Sequence, residues 1–142
     1  MAAVVARLRA RVRSSIVAPL IGELVTLPAD LAARWPELRA VRWRRGGLPP
    51  RVGGWCLGSV TVDAITLWRT VFLAPGVAWE PTLLLHEHRH VEQFASSVVF
   101  PFLYLWESLT RGYARNRFEA DADAWAATRL RRHLPLILPP GA

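Results

Sequence analysis

The feature that most constrains this chain is a histidine-rich stretch that directly follows three leucines. Residues 83–93 read Leu-Leu-Leu-His-Glu-His-Arg-His-Val-Glu-Gln. The leucines, together with Val91 and Phe94, favour a helix that is largely buried. His86 and His90 are four residues apart, so a helix places both imidazoles on one face, one turn apart. Two buried histidines beside a glutamate need partners, which the rest of the fold must supply.

Two imidazoles at this spacing can share one Zn²⁺ ion at metal–nitrogen distances of ~2.0–2.1 Å. Glu87, next to His86, would reach a metal-bound water rather than the metal, and could accept a proton there and pass it on. His88 and Arg89 point away from the ligand face, so we expect them to be exposed or on the substrate side. Gln93 shares the ligand face and is either a hydrogen-bond partner of the ligands or an ordinary packing residue.

A catalytic zinc ion needs a third protein ligand and an open position for water. Residues 116–123 are predicted to lie on a later helix, on which Glu119 and Asp123 are four apart and share a face. Glu119 would complete a His-His-Glu site. Asp123 would accept a hydrogen bond from a ligating imidazole, here His86, and so fix its tautomer. Asn116 lies on the same face and is a candidate to brace these groups.

Two tyrosines are candidates for stabilising negative charge at this site. Tyr113 lies three residues before the asparagine, and we assign it as the candidate donor to the oxyanion of a tetrahedral intermediate. Tyr104 competes for that role, and the ordinary alternative for both is an amphipathic core aromatic. The alternative for the whole histidine motif is a polar surface stretch of a helix. The preceding leucines disfavour that alternative, because they indicate a buried segment.

Hydrophobic patterning elsewhere predicts an α+β fold, with a small, mainly antiparallel sheet beside a layer of helices. The predicted elements, in chain order, are helix 2–26 with a bend near Pro19, helix 28–35, strand 38–44, a turn region over 46–54, strands 55–62 and 64–73, and helices 80–99, 101–110 and 113–133. Glu80-Pro81 is read as the start of the histidine helix, since proline is favoured in a first helical turn.

The length of 142 residues fits a single domain. We divide it into a basic helical segment over about 1–35, a core over about 38–133 and a proline-rich tail. The lone Cys56 excludes an internal disulfide and a multi-cysteine zinc site, and is interpreted as a buried structural thiol.

The formal net charge is +7, and all eighteen basic residues are arginine. Composition bias is the preferred interpretation, and because no arginine-rich run with interleaved aromatics is present we predict no specific nucleic-acid partner. No apolar stretch reaches the ~20 residues that a spanning helix needs. We therefore expect a cytoplasmic protein, whose basic N-terminal helix allows peripheral contact with a membrane. No pattern in the sequence sets an oligomeric state.

The pairing of His-Glu-His-Arg-His with Asn116-x-x-Glu119-x-x-x-Asp123 resembles the gluzincin clan of zinc metallopeptidases. In length the chain is closer to the minimal members of that clan, the minigluzincins. The resemblance covers about residues 55–127. It implies a zincin-like fold, in which a small sheet packs on an active-site helix and a glutamate helix, and a peptide or protein substrate.

The resemblance also implies residue roles. His86, His90 and Glu119 would bind zinc, Glu87 would be the general base, and Asp123 would orient a zinc-bound histidine. The stretch 64–73 matches the upper-rim strand, which could pair with an extended substrate. One departure is the short spacing between the second histidine and the glutamate, consistent with loss of a C-terminal domain that normally supplies a transition-state residue. The alternative function is a catalytically silent or latent zinc-binding domain that serves as a binding or scaffold module.

Overall fold

The computed structural model describes residues 19–56 and 61–133, with the side chains of Trp55 and Cys56 left out. The predicted basic helix before Pro19, the thiol of Cys56 and the proline-rich tail after His133 lie outside the described residues. No helix within these two ranges combines the length and the apolar character needed to cross a membrane.

The described part of the chain has an α+β architecture. Its strands are β1 (Glu23–Leu24), β2 (Arg42–Arg45), β3 (Ala64–Leu67) and β4 (Thr70–Leu73). Its α-helices are α1 (Ala29–Arg34), α2 (Pro49–Cys56), α3 (Pro81–Ser96), α4 (Phe100–Arg111) and α5 (Arg117–His133), and two short 3-10 helices span Pro36–Ala40 and Tyr113–Arg115.

The four strands form one sheet in the order β1-β2-β4-β3. The β1–β2 and β3–β4 pairs are antiparallel, whereas β2 and β4 are parallel. The prediction of a mainly antiparallel sheet is therefore right for two of the three pairs. The parallel pair requires a crossover, which α2 and β3 provide. This crossover leaves β3 at one edge of the sheet.

The core lies between the sheet and the histidine helix. Its buried side chains come from α1, the first 3-10 helix, the two central strands, α3 and α5, and include Trp35, Leu38, Trp43, Val71, Leu73, Leu84, Leu85 and Ala126. The indole nitrogen of Trp43 donates to the carbonyl of Leu38 at 3.1 Å. Helix α3 packs along α5 and against β3. One side of α3 is thus fixed in the core, which directs the histidine side toward α5.

The start of α3 is fixed by Glu80 and Pro81. Pro81 occupies the first turn, where its missing N–H would have no helical partner. The Glu80 carboxylate accepts from the backbone N–H of Leu83 at 2.9 Å and from the Thr82 hydroxyl at 3.1 Å. The sequence predicted this start correctly.

Removing this cap should destabilise the fold without altering its architecture. We expect Glu80→Ala to lower the free energy of unfolding by about 1 kcal/mol, as for other helix N-caps. Urea denaturation should show a lower midpoint with an unchanged slope. The matched variant Glu80→Asp keeps a carboxylate of the kind favoured at N-caps and should stay close to wild type. Equal losses in the two variants would contradict the capping role.

Two predictions fail between residues 46 and 56. The turn region predicted over 46–54 becomes helix from Pro49, and the strand predicted from Trp55 begins inside that helix. Pro49 and Pro50 can open a helix because their fixed φ suits a first turn. Gly54 is needed on this helix because a Cβ there would overlap the backbone of Thr61.

The single strand predicted over 64–73 is in fact a hairpin. Trp68 and Arg69 form a two-residue turn between β3 and β4, with Trp68 in the left-handed region at φ 54°. Such turns usually carry glycine or asparagine, so nothing in these residue types signalled one. Two smaller corrections are that Glu23–Leu24 is a strand rather than helix, and that residues 38–40 belong to a 3-10 helix before β2.

Candidate metal centre

Three donor groups converge between α3 and α5. His86 and His90 come from α3, and Glu119 comes from the first turn of α5. The two imidazole Nε2 atoms are 3.0 Å apart. Glu119 Oε2 lies 3.2 Å from His86 Nε2, and Oε1 lies 3.3 Å from His90 Nε2. A tetrahedral zinc ion with bonds of ~2.0–2.1 Å holds its donors about 3.3 Å apart. The spacing of the three groups therefore suits one metal ion.

The second nitrogen of each imidazole faces an oxygen acceptor. His86 Nδ1 lies 2.8 Å from Asp123 Oδ1, and His90 Nδ1 lies 2.8 Å from Gln93 Oε1. Each imidazole therefore donates from Nδ1, which leaves Nε2 unprotonated in the neutral ring. In the neutral rings the two Nε2 atoms, 3.0 Å apart beside the Glu119 carboxylate, form an electron-rich cluster that favours a cation, and in the protonated rings the same nitrogens donate to Glu119. This arrangement is the ordinary support of metal-bound histidines.

Gln93 is oriented by a second set of contacts. Its amide nitrogen donates to the Phe118 carbonyl at 3.1 Å and to the Asp121 carboxylate at 2.9 Å. Only the amide oxygen remains to face His90. Asp121 also accepts from Arg89 Nε at 2.7 Å. Of the two interpretations of Gln93, the structure favours the first, because its amide oxygen lies against His90, a candidate ligand.

The charges of the cluster attract positive charge to its centre. Burial lowers the pKa of His86, but the hydrogen bond to Glu119 and the charges of Glu87 and Glu119 outweigh it and raise the pKa to about 9. For His90 too, the hydrogen bond to Glu119 and the charges of Glu87 and Glu119 outweigh the effect of burial and raise the pKa. Burial opposes ionisation of Glu119, yet hydrogen bonds from both imidazoles hold its pKa well below the usual range. A metal ion would compete for this site with protons.

Glu87 is buried beside the cluster, on the side that faces β3. Its carboxylate accepts a hydrogen bond from the Thr66 hydroxyl at 2.6 Å, and the same hydroxyl is 3.2 Å from its carbonyl oxygen. Burial raises the pKa of Glu87, against the opposing effects of His90 and Thr66. A raised pKa suits a group that takes up and returns a proton near neutral pH. Thr66 was missed from the sequence, where it is one residue of an alternating strand.

The two candidate tyrosines lie at the same carboxylate but in different environments. Tyr104, on α4, is partly buried and donates its hydroxyl hydrogen to Glu119 Oε1 at 2.5 Å. Tyr113 is about half exposed, and its partial burial together with the charge of Glu119 raises its pKa. Tyr104 therefore makes the direct contact with a candidate ligand. The oxyanion role of Tyr113 stays a prediction.

Asn116 supports the site by fixing the start of α5 rather than by contacting a candidate ligand. Its Oδ1 accepts from the Phe118 N–H at 2.9 Å, which caps the helix that carries Glu119. Its Nδ2 donates to Ser108 Oγ at 2.9 Å and to the Tyr104 carbonyl at 3.3 Å. The predicted bracing role is thus exerted by joining α4 to α5.

His88 is buried against α5, contrary to the prediction that it is exposed or on the substrate side. Its ring stacks on Trp125 of α5, with centroids 5.3 Å apart and an interplanar angle of 19°. Burial lowers its pKa, which favours the neutral ring. The error arose because α5 covers this side of α3 as well, which the periodicity of α3 alone does not reveal.

No protein-family model, curated protein or solved structure matches this chain. The interpretation of the centre therefore depends on the geometry of its own residues: His86, His90 and Glu119 form a group that could hold a metal ion.

The contact between Asp123 and His86 gives a measurable expectation. We expect Asp123→Ala to keep one metal per chain but to weaken zinc affinity about 10–100-fold, the usual effect of removing the partner of a metal-bound histidine. Competition with a chromophoric chelator measures this change. Asp30→Ala, at an exposed aspartate on α1, is the control and should leave affinity unchanged. An Asp123→Ala affinity equal to wild type would contradict the supporting role.

Proposed function

We propose that this protein is a zinc-dependent metallopeptidase of the gluzincin type, with one Zn²⁺ held by His86, His90 and Glu119. The observation that carries the proposal is the convergence of the three donors while both imidazoles donate from Nδ1 to fixed acceptors. Two imidazoles and one carboxylate are a common donor set of catalytic zinc sites. Three protein donors also leave a fourth position for water.

Bound zinc supplies Lewis acidity, which lowers the pKa of its water and polarises a scissile carbonyl. The chain's own contribution begins with Glu87. Its carboxylate takes the proton of the attacking water and returns it to the leaving amine. Thr66 fixes one oxygen of that carboxylate by its hydrogen bond. Tyr104 holds Glu119 in place by its short hydrogen bond.

A peptide substrate is supported by the position of β3. This strand pairs with β4 on one side and lies at the edge of the sheet as the structure describes it. An extended peptide can add to such an edge through backbone hydrogen bonds. Thr66 lies on this strand and contacts Glu87, so the edge that would hold the substrate is joined directly to the proposed base.

The proposal is tested by measuring metal and turnover on the same preparation. Purified protein should contain one zinc per chain by elemental analysis and should cleave casein or a fluorogenic peptide library. A chelator should abolish cleavage, and added zinc should restore it. Stoichiometric zinc without cleavage of any substrate would favour the silent zinc-binding domain. Absence of zinc binding would overturn the metal site itself.

A further inference from the structure

Helix α4 is amphipathic with its apolar face turned outward. Its buried residues are Phe100 and the charged Glu107. Its exposed side chains are mostly large and apolar, with Phe102 74%, Trp106 67% and Leu109 75% exposed. Val98, Val99, Leu103 and Leu105 are exposed as well. This outer face of α4, defined by these seven residues, begins at the two valines just before the helix, follows a spacing of three and four residues and so forms one continuous stripe.

A stripe of this kind on a protein surface marks a site of contact with an apolar partner. Its composition of phenylalanine, tryptophan, leucine and valine is that of helices that lie in the headgroup region of a bilayer. Tryptophan in particular is enriched at that depth. Helix α4 has 12 residues and is roughly 18 Å long, well short of the ~30 Å hydrocarbon layer. It can therefore lie on a membrane surface but not span it.

Arginines lie around the C-terminal end of α4, on the side of the helix that carries Glu107. Arg111 and Arg117 are both about 60% exposed and flank the buried Glu107, with Nε atoms 3.5 and 3.4 Å from its carboxylate oxygens. Arg115 is also exposed, between α4 and α5. Three arginines and one glutamate leave net positive charge at the C-terminal end of the apolar stripe. Anionic lipid headgroups complement this charge.

The same charge disfavours two other occupants of the outer face. A second copy of the chain would bring the two sets of arginines together if the helices packed parallel, and would leave both sets without opposite charge if they packed antiparallel. The chain's own N-terminal segment carries four arginines over residues 7–13 and would likewise bring like charges together. A surface of anionic lipid supplies both an apolar layer and the opposite charge.

We propose that the outer face of α4 binds anionic membrane surfaces, with Phe102, Trp106 and Leu109 entering the headgroup region. This assignment does not depend on the proposed peptidase activity. It moves the membrane contact from the N-terminal segment, where the sequence suggested it, to a helix that also carries Tyr104. The candidate metal centre would then lie one helix away from the lipid.

Sedimentation of the full-length chain with vesicles tests the proposal. Wild type should bind vesicles of phosphatidylserine and phosphatidylcholine, bind pure phosphatidylcholine at least tenfold more weakly, and lose affinity as salt rises. The double variant Phe102→Ser/Leu109→Ser should bind the anionic vesicles at least tenfold more weakly. Its control is Leu24→Ser, at a leucine of similar exposure on β1, which should bind as wild type does. Circular dichroism should show all variants folded.

Several outcomes would overturn the proposal. Wild type that fails to sediment with anionic vesicles would do so, as would a folded double variant that binds as tightly as wild type. Binding that survives the double substitution but is lost when Arg7, Arg9, Arg11 and Arg13 are replaced by serine would assign the contact to the N-terminal segment. Light scattering that shows a dimer in wild type and a monomer in the double variant would assign the face to a second copy.

Discussion

Glu87→Gln should retain one zinc per chain and lose peptide hydrolysis by about 10²–10⁴-fold in kcat/KM, the range attributed to a positioned acid–base group. Glutamine has the same shape and can still accept the hydrogen bond from Thr66, so the local packing should survive. It cannot take a proton from water at neutral pH. The proton transfer is lost, while the three converging donors remain.

The control for this variant is Glu92→Gln on the same helix. Glu92 forms a partly exposed ion pair with Arg89 and is no part of the donor cluster, so activity and metal content should match wild type. Both variants need elemental analysis and steady-state kinetics on one peptide substrate. Glu87→Gln protein that turns over at the wild-type rate would refute the assignment of Glu87 as the base.

His90→Ala is expected to lose stoichiometric zinc. Structural zinc sites bind their ion with an apparent free energy of about 10–16 kcal/mol. Divided among three or four ligands this is about 4 kcal/mol for each, so removing one ligand should lower the zinc affinity by a factor on the order of 10³. The alanine variant should therefore purify with close to no metal, and its affinity in chelator competition should fall by that factor. Hydrolysis should fall with it.

His88 offers a close control, because it is two residues away on the same helix. It stacks on Trp125 and lies outside the donor cluster. His88→Ala should cost stability, by leaving a cavity against that ring, but should keep one zinc per chain. Zinc content that survives in His90→Ala, or that is lost from folded His88→Ala, would show that the ligand set is wrong.

The parts of the site that the sequence predicted are those that depend on spacing along one helix. His86 and His90 fall on one face because they are four apart, and Glu119 and Asp123 do so for the same reason. Proline and glutamate marked the start of α3. These relations are local, so helical periodicity alone was sufficient to predict them.

The parts that were missed or left open depend on which elements meet. Thr66 contacts Glu87 only because β3 packs on α3, and Tyr104 contacts Glu119 only because α4 turns back toward α5. His88 was predicted to be exposed because one helix face was considered without its neighbour. The turn at Trp68 was missed because its left-handed backbone is set by the hairpin rather than by residue preference.

The capped start of α3 also sets a limit on how this chain can change in length. Each residue advances a helix by about 100°. The residue at which the Glu80 cap and Pro81 start α3 therefore decides the direction in which His86 and His90 face. One residue inserted between Pro81 and His86 would turn the two imidazoles out of register with Glu119, or else break the cap. Such an insertion should be far more damaging than any single substitution in that turn, whereas the loops outside α3 have no such angular constraint.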